Sequence, residues 1–248
     1  MGCDIHAYYE VRDQNSGQWE QHDWTSKWIP EGQDLPDWRA MFETGDPFHI
    51  SRNYHLFSIL ADVRNGSGFA GTKTGEGFNP ICLPRGLPDD LSESVDKENL
   101  LVVGVDCDNS TSKSWLQQGL SIMIDSDTVT NPDYHSHSWH TLTELRSFDW
   151  TQMTQLQGWV GAEDYQRFKD GEPHGYSGSV SGNKVRHISI PEMEQCIANG
   201  NTNHAYTLIV WNKSYADCCR DFVENTIPAM NELAEDPDNV RLVFWFDN

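Results

Sequence analysis

Three imidazoles and a carboxylate fall within eight residues in the segment Asp133-Tyr134-His135-Ser136-His137-Ser138-Trp139-His140. Side chains alternate along an extended backbone, so a strand here would point Asp133, His135 and His137 the same way. Imidazoles at i and i+2 with an oxygen ligand suit Zn2+ or another divalent first-row ion, provided a second strand supplies the remaining donors. Asp4 and His6 are two apart near the start of the chain and are the obvious donors. The expected metal set is therefore Asp4, His6, Asp133, His135 and His137, and the expected acid–base set is Asp4, His6, His135 and His137. The competing reading is that Asp4 and His6 pair with each other or with water on a solvated sheet face.

A second group of residues suits ligand binding. Arg52 and Asn53 open a helix whose free N–H groups favour an anion, and the Arg52 fork adds donors. A surface salt bridge to one of many carboxylates is the alternative use of Arg52. The stretch 66–78, with Gly68 and Gly71 among its glycines, is too permissive for regular structure and reads as a lid or a plain loop. Trp139 supplies an aromatic surface beside it. The chain contains no HExxH, CxxC, GxxxxGK[ST], strand-led GxGxxG or GxSxG pattern, so none of the motif-defined mechanisms is indicated. Adjacent Cys218 and Cys219 diverge around a helix and fit packing better than redox chemistry.

The elements that must position these residues follow from periodicity. Cys3 to Val11 alternates as a strand with Cys3, Ile5, Ala7 and Tyr9 on one face and Asp4, His6, Tyr8 and Glu10 on the other. The turn Asn15-Ser16-Gly17 leads to a hairpin partner over Gln18 to Trp24. Asn53 caps a helix from Tyr54 to Arg64 on the stripe Leu56, Ile59, Leu60 and Val63, with Asn65-Gly66 as the stop. A short capped helix ends near Val95, and Leu100 to Val105 and Leu120 to Ile124 read as strands. Thr141 and Glu144 form a capping box for a helix reaching Trp150. Ala205 to Trp211, Tyr215 to Ala234 and Val240 to Phe246 read as a β-α-β unit. The expectation is one α+β domain over residues 1–248, with a mixed sheet, packed helices and loop insertions at about 29–49, 66–80, 106–133 and 171–183.

Composition narrows the function classes. Seventeen basic residues against 38 acidic ones give a formal charge of -21 over 248 residues, and no window gathers Lys and Arg into the stripe that phosphate backbones need. Direct nucleic-acid binding is disfavoured. No apolar run approaches the ~20 residues that span a bilayer, and no secretory signal opens the chain, so neither membrane nor secretion is expected. Six cysteines without a regular framework fit reduced thiols in a cytoplasm. Gly2 followed by Cys3 suggests acylation, but His6 stands where that signal needs Ser or Thr.

The start Met1-Gly2-Cys3-Asp4-Ile5-His6, the run Arg52 to Arg64, Pro84-Arg85-Gly86-Leu87-Pro88, the segment Asp133 to Leu145 and the ending Val243 to Asn248 together resemble a family of uncharacterised bacteriophage proteins. The resemblance spans nearly the whole chain and implies phage or prophage origin and expression inside a bacterium, without an activity to transfer. Family members read His-Ser-x-Ser-Trp-Leu-Thr where this chain has His137 at x and His140 in place of Leu, so the resemblance supports His135 as a ligand more than His137. Phage accessory proteins often counter host defences that signal through modified nucleotides, which makes hydrolysis of a small phosphorylated or nucleotide-like molecule the leading expectation. The alternatives are a non-catalytic sponge for such a ligand and an acidic decoy of a nucleic-acid-binding host protein.

Overall fold

The computed structural model describes residues 2–22, 47–102, 128–131, 133–169, 171 and 175–247. Strands β1 (Asp4–Arg12) and β2 (Trp19–Gln21) form the expected hairpin. The C-terminal strand β9 (Val240–Asp247) then inserts between β1 and β5 (His135–Thr141), giving an antiparallel sheet of order β2-β1-β9-β5. A second sheet of order β6-β8-β7 is mixed. Its strand β6 (Met153–Val160) pairs antiparallel with β8 (Ala205–Ser214), and β7 (Arg186–His187) lies parallel to β8. Strands β3 (Leu100–Val102) and β4 (Thr128–Thr130) pair with each other. The fold is α+β.

Local signals place the helices. Asn53 caps α1 (Tyr54–Ala61) by accepting from His55 N and Leu56 N, and its own amide donates to Cys218 O at 3.0 Å. The helix ends earlier than its apolar stripe because Asp62 turns left-handed, with φ 59°. Ser92 caps α2 (Glu93–Glu98), and the Thr141–Glu144 capping box opens α3 (Leu142–Ser147), one turn shorter than expected. Helices α4 (Ala162–Phe168) and α5 (Ile190–Ala198) complete the middle of the chain. The long helix expected over 215–234 is broken into α6 (Tyr215–Cys218), a π turn (Phe222–Thr226) and α7 (Ile227–Asn231). The first break falls at Cys219, whose φ of -127° and ψ of 35° leave the helical region, and Pro228 accounts for the π turn: it has no N–H for the carbonyl four residues back, and its ring would meet that carbonyl. The wider turn lets Ile227 N bond to Phe222 O instead.

The strand–helix–strand order at the C-terminus is as expected, but β8 and β9 enter different sheets. The inner faces of both sheets meet in one core, where Phe57, Ile59 and Leu60 of α1 pack with Leu156, Ile209, Leu242, Phe244 and Phe246. Every residue of β9 from Val240 to Phe246 is buried because its sheet is covered on both sides. On the far side the segment 87–95 lays Leu87, Leu91 and Val95 over Tyr8, Val243 and Trp245. The strand expected at Leu120 to Ile124, most of the excursion at 29–49 and most of the insertion at 106–133 lie outside the described residues.

Candidate functional site

The far side of the first sheet carries two different constructions. At the end holding Glu10 the polar groups are buried and matched. Arg241 Nε donates to Glu10 Oε2 at 2.6 Å, Arg241 Nη1 to Asp90 Oδ1 at 2.6 Å, and Ser92 N to Glu10 Oε1 at 2.8 Å. The Arg241 guanidinium lies 4.0 Å from the Trp19 ring and 5.8 Å from Trp139, while Arg85 sits 3.8 Å over Trp139 and bonds Glu144. Trp139, expected as a ligand surface, is thus engaged by arginines of the chain itself.

At the opposite end, β1 and β5 flank Trp245. The register His6↔Trp245 puts His6 beside the indole, at a ring separation of 6.1 Å, and His137 approaches it to 5.6 Å. Tyr8 stacks on Trp245 at 4.8 Å, and Tyr134 tilts over His6 at 4.7 Å. Burial, with Glu98 close by, pushes the Tyr8 phenol well above its ordinary pKa, so it stays protonated. Trp245 is fully buried, and its indole N–H meets no acceptor among the described residues.

His6 Nε2 lies 3.2 Å from Asp247 Oδ2, and both side chains are about a third exposed, at 30% and 34%. A carboxylate oxygen accepts, so in the neutral imidazole that makes this bond the proton sits on Nε2 and the lone pair on Nδ1. Asp247 is held in turn by Asp4 N, which donates to Oδ1 at 3.1 Å. Nothing in the local pattern of 240–248 singled out Asp247; only its antiparallel partnership with Asp4, 243 residues away, makes it a neighbour of His6. His137 donates from Nε2 to Asn99 Oδ1 at 2.7 Å, and burial keeps its pKa below the usual imidazole value.

The expected common face for Asp133, His135 and His137 does not form. Between His135 and Ser138 strand β5 spends three steps while β9 spends two, from Phe246 to Phe244. The extra residue is a bulge at Ser136, whose φ is 53°. It reverses the alternation, so His135 stacks on Phe246 on the inner face and His137 stays with Trp245 on the outer one. Asp133 is exposed at the strand's approach. Asp4 is bound through both carboxylate oxygens by Arg52. Among the described residues no three His, Cys, Asp or Glu side chains gather closely enough to share an ion. The donor set therefore does not fit the zinc reading, and no step below is routed through a metal.

The other expected binding residues are also committed elsewhere. Asn53 spends its amide on the helix cap and on Cys218 O. The loop holding Gly68 and Gly71 runs beside β6 of the second sheet: Glu76 N bonds Gln155 O at 2.9 Å and Gln157 N bonds Thr74 O at 2.8 Å. Gly75 permits that approach, since a Cβ there would stand 2.3 Å from Gln155 O. This pinning replaces the expected lid. His140, whose role the sequence left open, is fully buried, donates from Nε2 to Leu60 O at 2.8 Å and is driven by burial to a pKa of about 4.

Of the sequence-derived candidates the structure thus keeps His6 and His137 on one face with Asp4 and Arg52 at its rim, and adds Asp247, Tyr134 and Asn99. Open clefts of about 610 Å³ and 570 Å³ elsewhere on the described surface are lined by none of His6, His137 and Asp247. No described helix is long and apolar enough to cross a membrane. No protein-family model, curated protein or solved structure matches the chain.

Proposed function

We propose that this chain is a bacteriophage accessory protein, of the counter-defence kind, that hydrolyses a small phosphorylated, nucleotide-like molecule at the His6–Asp247 pair. The observation that carries the reading is the carboxylate–imidazole pair at 3.2 Å, about a third open to solvent and set beside a shelf of rings. Asp247 fixes the His6 tautomer, and His6 Nδ1 takes a proton from the attacking water. The water oxygen bonds to phosphorus, the bond to the leaving oxygen breaks, and the proton passes from Nδ1 to that oxygen. Tyr134, tilted over His6, offers its face and hydroxyl to a planar base.

The test is incubation of the purified protein with cyclic mono- and dinucleotides and nucleoside mono-, di- and triphosphates, followed by denaturation and chromatography of what is released. The reading expects one nucleotide class to be converted by the wild type and left unconverted by His6→Ala. A panel returned intact and never bound overturns it. A nucleotide that is bound and returned intact would instead establish sequestration, the second reading, which the ring shelf and its phenol hydroxyls favour.

A further inference from the structure

Arg52 and Asp4 form a bidentate pair at the rim of the site. Arg52 Nε donates to Asp4 Oδ1 at 2.7 Å and Nη2 donates to Oδ2. The planar guanidinium fork accepts a carboxylate and a phosphate in the same way. The pair is half exposed, at 48% and 52%, so water and salt screen it and its two members hold one another only weakly. The guanidinium rests on Gly2, where a Cβ would stand 2.9 Å from Nη1. Asp4 sits two residues before His6 on the same face of β1, and its backbone N–H holds the Asp247 carboxylate that orients His6. The position filled by the Asp4 carboxylate is therefore an anion position directly beside the proposed base.

We infer that Asp4 is a built-in occupant of the phosphate position: a ligand phosphate displaces its carboxylate and takes both Arg52 donors. The inference rests on the reading of the site as one for a phosphorylated molecule and adds to it where the phosphate sits and what it must dislodge. Asp4 thus weakens binding of any anion too poor to compete with it and selects ligands whose charge exceeds that of a single carboxylate.

The test measures the affinity of inorganic phosphate at low ionic strength, by phosphorus NMR line broadening, for the wild type, Asp4→Asn, Arg52→Gln and the double variant. Asp4→Asn should tighten phosphate by about 5-fold, and the gain should vanish in the Arg52→Gln background. Gly2→Ala, which crowds the guanidinium without changing charge, should weaken phosphate and guards against misfolding of the Asp4 variant. An unchanged affinity in Asp4→Asn, or an equal gain with and without Arg52, overturns the inference, the latter because it reports only the lowered net charge. Nucleotide turnover lost in His6→Ala alongside such a result would leave the hydrolytic reading standing and this one fallen. The expected phosphate response without turnover of any nucleotide would do the reverse.

Discussion

One sheet face carries a buried, fully matched polar cluster at one end and a partly open one at the other. At one end Glu10 and Arg241 are almost wholly buried, and each is matched by hydrogen bonds and by the Trp19 and Trp139 rings. At the other, His6, Tyr134 and Asp247 are partly open, and the Trp245 N–H lacks an acceptor among the described residues. Burying a charge is tolerable only when every partner is present, so the closed end is a place where deletion costs stability. A pair that stays partly exposed is less tied to the core, so deletion there costs stability less.

The largest effect should come from splitting the closed end. Arg241→Met leaves Glu10 buried without its cation and should cost about 3–5 kcal/mol in denaturant unfolding, while a Glu10→Gln/Arg241→Met pair should recover part of that loss. If the single variant unfolds like the wild type, the two ends do not differ as described. At the open end His6→Ala should lower turnover of the responsive nucleotide by about 100-fold, the low range for loss of a general base, with little change in the unfolding midpoint. A stability loss as large as that of Arg241→Met would make His6 structural.

A third measurement contrasts His6 with an imidazole that the interior has silenced. The folded pKa of His140, about 4, lies below its ordinary 6.5. Its contribution to stability is therefore complete above pH 6.5 and is lost as pH falls from 6.5 towards 4, by at most about 3 kcal/mol. Burial moves His55 in the same direction. His140→Gln should flatten the fall in stability across that window, and an unchanged slope would show that His140 is not held neutral. The smallest effect concerns the pinned loop: Gly75→Ala should cost roughly 1–3 kcal/mol from the clash with Gln155 O, leaving nucleotide binding intact. Lost binding would return the loop to the site.

What the sequence disclosed was local. The caps at Asn53 and Thr141, the first hairpin and the alternation of β1 are each written within a few residues and recur in the structure. Strand β6 escaped notice because its buried side includes Thr154 and Gly158 while Met153 and Trp159 face outward, which blurs the alternation. Helix α5 carried a readable signal, the Ser189–Glu192 capping box with Pro191 in the first turn. The histidine cluster was legible in composition and illegible in direction: one inserted residue at Ser136 decides which face each ring takes, and nothing in a run of His and Ser announces it. Asp247 was hidden because its partner is 241 positions away.

That separation bears on how the molecule comes into being. Strand β9 lies between β1 and β5, so the first sheet has a gap at its middle until residues 240–247 have been made and have left the ribosome. The nascent chain must carry β1 with an unpaired edge while residues 13–239 are made, a state open to mispairing with other chains. Closure then joins two segments far apart along the chain in one slow, long-range step. The His6–Asp247 pair exists only after that step, so a chain interrupted anywhere upstream has no half-built site to misfire.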